Sequence, residues 1–179
     1  MVSIENLAFW TAIATWGLAT GTLIILFWQT YLQRRLNSAN VVMELRERFD
    51  SPRMRRARRT MATQLLQEEV GDIASLEVAT FFELIGAQTA RRVLDLDMIW
   101  EAFGSWVTSY YTAMRAPIDY IGRFRDSTKD PLFLYKFEWL NDQILLMDRR
   151  LLGPAFEASH QAVEEERSLL RREATLDLE

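Results

Sequence analysis

Between Asn6 and Gln33 the chain carries no charged residue. The inner stretch, Leu7 to Trp28, is built mostly of Leu, Ile, Ala, Phe, Trp, Gly and Thr. Wound as an α-helix rising about 1.5 Å per residue, such a run reaches across a hydrocarbon layer about 30 Å thick. A helix satisfies its own backbone donors and acceptors in lipid. Gly17, Gly21 and several threonines are therefore tolerable there, the hydroxyls bonding back to the preceding turn. The pattern predicts one N-terminal transmembrane helix centred on Trp16 to Leu26. A cleaved signal peptide fits it less well, because Glu5 rather than lysine or arginine precedes the run and bulky Leu26-Phe27-Trp28 closes it. A buried core helix is rarely so long and so free of charge.

Charge sets the expected orientation. Arg34 and Arg35 follow the run at once, whereas the N-terminal flank offers only Glu5 and the amino group. The excess of arginine on one side predicts a single-pass protein of the inner (cytoplasmic) membrane, with its N-terminus outside and its C-terminal domain in the cytoplasm. Phe9 and Trp10 at one end, and Trp28 and Tyr31 at the other, suit headgroup depth. Gly17 and Gly21 are spaced GxxxG, and Ala14 lies on nearly the same face. Small residues one turn apart let helix backbones approach, so Ala14, Gly17 and Gly21 form a candidate contact surface for another membrane helix, from a second copy or from a membrane complex.

The net charge of -4 hides an asymmetry. Arg34, Arg35, Arg53, Arg55, Arg56, Arg58 and Arg59 cluster close behind the uncharged run, and the chain turns acidic only later, ending through Glu164-Glu165-Glu166. Anionic lipid headgroups attract such juxtamembrane arginines at about 1 kcal/mol each. Lipid or an acidic partner is thus the expected ligand of this set, ahead of nucleic acid.

The rest of the chain reads as helices. Leu36, Val41, Val42, Leu45 and Phe49 continue an apolar face toward Asp50-Ser51-Pro52, where a cap and a first-turn proline open the next helix, which runs to about Gln67. After Gly71-Asp72 comes a dense apolar helix from Ser75 through Ala87, then one from Asp97 to Ala116, and a short helix or turn from Ile118 to Phe124. Another is expected from Pro131 to Leu151, and a last, polar one from Ala155 to Arg172. No period-two alternation marks a sheet. The expected fold class is all-α, one N-terminal transmembrane helix plus a cytoplasmic helical bundle. Its parts are the tail and span (1–36), a basic juxtamembrane segment (37–72) and the helical domain (73–179).

Familiar catalytic constellations are missing. There is no cysteine and a single histidine, His160. Glu157 and His160 have the spacing of one di-iron ligand pair, but a complete site needs two such pairs and two further carboxylates. Glu83 stands out within Phe81-Phe82-Glu83-Leu84-Ile85, where burial is costly without a partner. It is a possible buried acid with a raised pKa, or else a structural group paired with an arginine or a tyrosine hydroxyl. No catalytic residue, metal or cofactor is expected.

Several short motifs resemble a family of small bacterial proteins catalogued only as a domain of unknown function, of the 4760 type. They are Phe49-Asp50-Ser51-Pro52 with Met54-Arg55-Arg56-Ala57-Arg58, then Phe81-Phe82-Glu83-Leu84-Ile85-Gly86, then Leu94-Asp95-Leu96-Asp97 with Ile99-Trp100-Glu101 and Phe103-Gly104. The resemblance covers roughly Val41 to Leu151. It implies that the helical domain is often paired with an N-terminal membrane helix, and it implies no activity. The expected function is a membrane-anchored helical scaffold or adaptor working through protein contacts without catalysis. The bilayer, other transmembrane helices and a cytoplasmic protein are its expected partners. An accessory subunit of a membrane complex and a self-assembling membrane-perturbing effector are the alternatives.

Overall fold

The structure, a computed structural model, describes residues 4–67, 76–116, 119–153 and 163–175; side chains are described from Thr15 onward, without Arg34, Leu152 and residues 163–167. Among the described residues the chain is all helical, with α1 (Ile4–Phe49), α2 (Pro52–Gln67), α3 (Leu76–Ala90), α4 (Leu96–Arg115), α5 (Tyr120–Thr128), α6 (Tyr135–Leu152) and α7 (Val163–Ala174). It divides into two compact units, Met1–Ala39 and Asn40–Glu179.

The first unit is the greater part of α1. Its side chains from Thr15 to Gln33 are exposed, apart from half-buried Gly21. Trp16 is 76% exposed and Phe27 79%. Thr20, Thr22 and Thr30 each donate a hydroxyl hydrogen bond to the carbonyl four residues earlier, at 2.8 Å in every case. Among the described residues no helix is long and apolar enough to cross a membrane. The expected transmembrane helix is therefore present as a helix but not as a demonstrated span, since the described side chains make up only part of the uncharged run. From Thr15 to Gln33 the uncharged run is diluted by Thr15, Gly17, Thr20, Gly21, Thr22, Gln29, Thr30 and Gln33. Leu7 to Ala14, on which the predicted length depends, lie among the side chains that are not described.

The second unit begins inside α1. Val42, Leu45 and Phe49 are buried, at helical spacing. The expected stop at Asp50-Ser51-Pro52 is where α1 ends and α2 starts, and the Ser51 hydroxyl accepts the Met54 amide at 3.3 Å. Met54, Ala57, Arg58, Met61 and Ala62 of α2 face inward. Their main neighbours are α7 and α3. The most extensive contact joins α3 to α6, followed among the central helices by α4 with α6. A continuous aromatic core results. Phe49 lies 5.4 Å from Phe81, 5.6 Å from Phe103 and 5.4 Å from Trp106, while Phe82 stacks on Phe137 at 5.4 Å.

Helix ends follow local chemistry. Asp95 caps α4 by accepting the Asp97 amide at 3.0 Å, and Asp119 caps α5 by accepting the Gly122 amide at 3.0 Å. After α3, the Val93 amide reaches the Gln88 carbonyl and the Arg92 amide reaches that of Thr89, with Arg92 at φ 58. That is a left-handed helix terminus, a position where glycine is usual. α6 starts at Tyr135 rather than at Pro131. Leu134 takes a left-handed conformation, φ 55, which buries its side chain and turns the chain into the helix. The expected start of the last helix, at Ala155, lies outside the described residues.

Candidate functional site

Glu83 is half-buried, and its Oε2 accepts the Phe137 amide at 2.6 Å. Phe137 sits in the first turn of α6, where amides have no partner within the helix and the positive end of the helix dipole lies. The partner of Glu83 is thus a backbone N–H, neither the arginine nor the tyrosine expected, and its position explains the acid in an apolar helix. One turn on, Gly86 meets the Lys136 carbonyl so closely that a Cβ would collide with it. Glu83 and Gly86 together seat the start of α6 against α3, giving the first a structural role.

The arginines separate. Arg58 is buried, with its side chain only 4% exposed, so as the chain is folded it is not part of a lipid-facing surface. Its guanidinium carbon lies 4.2 Å from the Phe49 ring centroid and 5.0 Å from that of Trp106, within cation–π range. Its Nε is 3.3 Å from Oε2 of Glu173 on α7, and one terminal nitrogen is 3.9 Å from Asp50 Oδ1. The Tyr110 hydroxyl donates to the Arg58 carbonyl at 3.5 Å. Burial pushes the Glu173 carboxyl above its ordinary range against the pull of Arg58, with Asp50 adding to the rise. Burial, reinforced by the Glu173 charge, raises Tyr110 too. Arg53 is highly exposed and pairs with Glu77 at 2.8 Å, and Arg55 donates to the Asp50 carbonyl at 2.8 Å. Arg35, Arg56 and Arg59 are exposed. The Arg34 side chain lies outside the described residues, as does that of Ala14. For Gly17 and Gly21, a Cβ would meet nothing within 4 Å, so the packing of this chain does not require glycine at either position.

Sequence reading missed a second polar network. Glu138 on α6 accepts from Arg125 at 2.7 Å and from the Tyr111 hydroxyl at 3.0 Å, while Arg125 also donates to the Phe133 carbonyl at 3.0 Å. The Arg125 hydrogen bond holds the Glu138 carboxyl below its usual range, and burial raises Tyr111 with help from Glu138. Trp100 likewise donates to Asp148 at 2.6 Å. Each joins residues far apart in the chain, which no local spacing reveals. These groups tie α4, α5 and α6 together.

No group of three or more potential metal ligands is found among the described residues, and Glu157 and His160 lie outside them. A crevice lined by Met61, Gln64, Leu65, Leu76, Met114, Tyr120 and Phe124 holds about 10 Å³, room for about one water. Pockets for small molecules run to about 300–1,000 Å³. The buried Gln64 Oε1 accepts no hydrogen bond from the described residues.

The model of a domain of unknown function, DUF4760, matches residues 7–144, well over half of the chain. This chain belongs to the DUF4760 family. The match starts at Leu7, inside α1, rather than near Val41, so the DUF4760 domain takes in most of α1 as well as α2 to α5 and the beginning of α6. No curated protein and no solved structure matches the chain. The motifs that carried the resemblance meet in space in this DUF4760 fold: Phe49, Phe81, Phe82 and Phe103 form the aromatic core, Arg58 packs on Phe49, and Glu83 and Gly86 seat α6.

Proposed function

We propose that this protein is a single-pass, membrane-anchored helical scaffold that works through protein contacts rather than catalysis. In this reading the N-terminus is outside and the helical domain lies at the inner face of the cytoplasmic membrane. One observation carries the reading. Trp16, Leu18, Leu23, Ile24, Ile25, Leu26, Phe27 and Trp28 are all more than half exposed along a helix with no charge from Asn6 to Gln33. A contiguous apolar surface of this kind is rarely left to water and marks a membrane or a partner. The back-bonded threonine hydroxyls support it, because each leaves no unsatisfied donor facing lipid. Arg35, Arg56 and Arg59 would face anionic headgroups, and the space around Gly17 and Gly21 would admit a neighbouring helix.

Membrane fractionation tests the anchor. The full chain stays with the membrane after alkaline carbonate extraction, and replacing Leu18 and Ile24 with arginine releases it, since each charge near the centre of a span costs about 2.5–3.5 kcal/mol. Extraction of the wild-type chain by carbonate would sink the proposal. With no native cysteine, single cysteines at Ser3 and Ser168 report the orientation by labelling with an impermeant maleimide.

A further inference from the structure

One stripe of α1 is mismatched to its surroundings on both sides of Arg34 and Arg35. Thr15, Thr22, Gln29, Leu36 and Met43 stand seven residues apart, and Leu18, Ile25, Leu32 and Ala39 fall between them with the same repeat. Together they fill the a and d positions of an unbroken heptad pattern within a single helix, and none of them is charged. Before Arg34 the a positions are polar although the run around them is uncharged. Gln29 is exposed there, with an amide that both donates and accepts. After Arg35 the a positions turn apolar although Asn37, Asn40 and Glu44 flank them. Leu36 is 65% exposed and Met43 64%, and Met43 does not share the face that buries Val42, Leu45 and Phe49. A polar stripe facing lipid and an apolar stripe facing water are the same fault with opposite sign. Contact with another helix along the whole stripe removes both.

We propose that α1 pairs along this stripe with the α1 of a second copy, parallel and in register, so that one seam joins the two chains inside the bilayer and beyond it. The residues select a second copy as the occupant. An amide can donate to and accept from a copy of itself, so the two Gln29 side chains satisfy each other across the seam, and a polar a position fixes the register. Leu32 and Leu36 meet their own counterparts and leave water together. Charge agrees with self-pairing. In a parallel pair the g position of one helix faces the following e position of the other, so Arg35 faces Asn40 and no like charges are opposed. Arg46 takes the next d position, where two like charges would meet, and the seam ends before it. Gly17 and Gly21 take c and g positions, beside the seam rather than in it. This inference deepens the membrane-anchor reading, on which it rests for the stretch up to Gln33, by naming the partner of the helix.

The test uses the full chain in mild detergent. Its lack of native cysteine allows single cysteines to be compared one at a time. A disulfide needs Cα atoms within about 7 Å, and in a parallel, in-register pair identical residues come that close only along the seam. Under mild oxidation Leu32→Cys and Leu36→Cys are expected to form disulfide-linked dimers at least tenfold faster than Thr30→Cys and Asn37→Cys, their off-seam neighbours. In the ultracentrifuge the wild type is expected to sediment as a dimer, and Leu36→Arg to raise its dissociation constant at least tenfold with helical circular dichroism unchanged. A wild-type chain that stays monomeric overturns the proposal. So do equal rates at the four cysteine positions, because misfolding of one variant cannot level them all. Cross-linking that is fastest through Gly17→Cys overturns it in favour of the glycine face. Carbonate extraction reads the anchor without regard to pairing, and cross-linking in detergent reads pairing without a bilayer, so the two readings fail separately.

Discussion

At the scale of single residues, the positions under greatest constraint are those where two backbones meet. Gly86 admits the Lys136 carbonyl, and the only escape from an added Cβ is to move α6 away from α3. Gly86→Ala is expected to cost about 1–3 kcal/mol, as overpacking does, read as a lower denaturation midpoint in urea. Glu83→Ala removes the carboxylate that caps α6 and is expected to cost about 1 kcal/mol in the same measurement, while Glu83→Gln, which keeps an acceptor, costs less. Arg92 gives the opposite sign. It holds a left-handed conformation at the end of α3 at a cost of about 1–2 kcal/mol for a residue with a Cβ. Arg92→Gly therefore raises the midpoint, by about 0.5–1 kcal/mol after the greater freedom of glycine in the unfolded chain is deducted. Gly17 and Gly21 meet no neighbour, so alanine at either leaves the stability of the helical domain unchanged.

At the scale of helices, two carboxylates hold elements together with opposite dependence on pH. Glu138 bridges α6 to Arg125 of α5 and Tyr111 of α4, and its carboxyl is depressed below the ordinary value of about 4.5. Its contribution to stability is thus present above that value and lost as pH falls through the folded pKa. Glu173, which docks α7, is raised by burial. The contribution from its titration is fully present below about 4.5 and lost as pH rises through its folded pKa. Thermal melts from pH 7 to pH 3 are expected to show a Glu138→Gln variant converging on the wild type as the acid end is reached. A Glu173→Gln variant is expected to be at least as stable as the wild type at pH 7, with that advantage shrinking on acidification. A Glu138→Gln deficit that grows as pH falls would show that Arg125 is not what holds the carboxylate ionised.

At the scale of the whole molecule, the buried hydrophobic core among the described residues starts at Val42 and belongs to the second unit. A chain beginning at Asn40 is therefore expected to stay helical and disperse in buffer without detergent, whereas the full chain needs detergent. Gel filtration and circular dichroism check both halves of that statement. The all-helical class, the stop at Asp50-Ser51-Pro52 and the central place of the helix bearing Phe81 and Phe82 were legible from periodicity and capping chemistry, which act over a few residues. The start of α6 was not. Pro131 is a good local signal, but burial of Leu134 and the distant carboxylate of Glu83 moved the start to Tyr135.

The arginines show the same division. By itself the sequence determined where charge is absent and where arginine accumulates, because helix formation and the lack of charge from Asn6 to Gln33 are local properties. Sequence could not tell Arg58 from Arg56 or Arg59, for all three read as one basic cluster. Tertiary structure decided it. Only when α1, α4 and α7 close around α2 does one of these side chains find Phe49, Trp106 and Glu173 within reach. Contacts between residues 48 or more positions apart are set by how helices pack, a physical quantity that no short window of sequence contains.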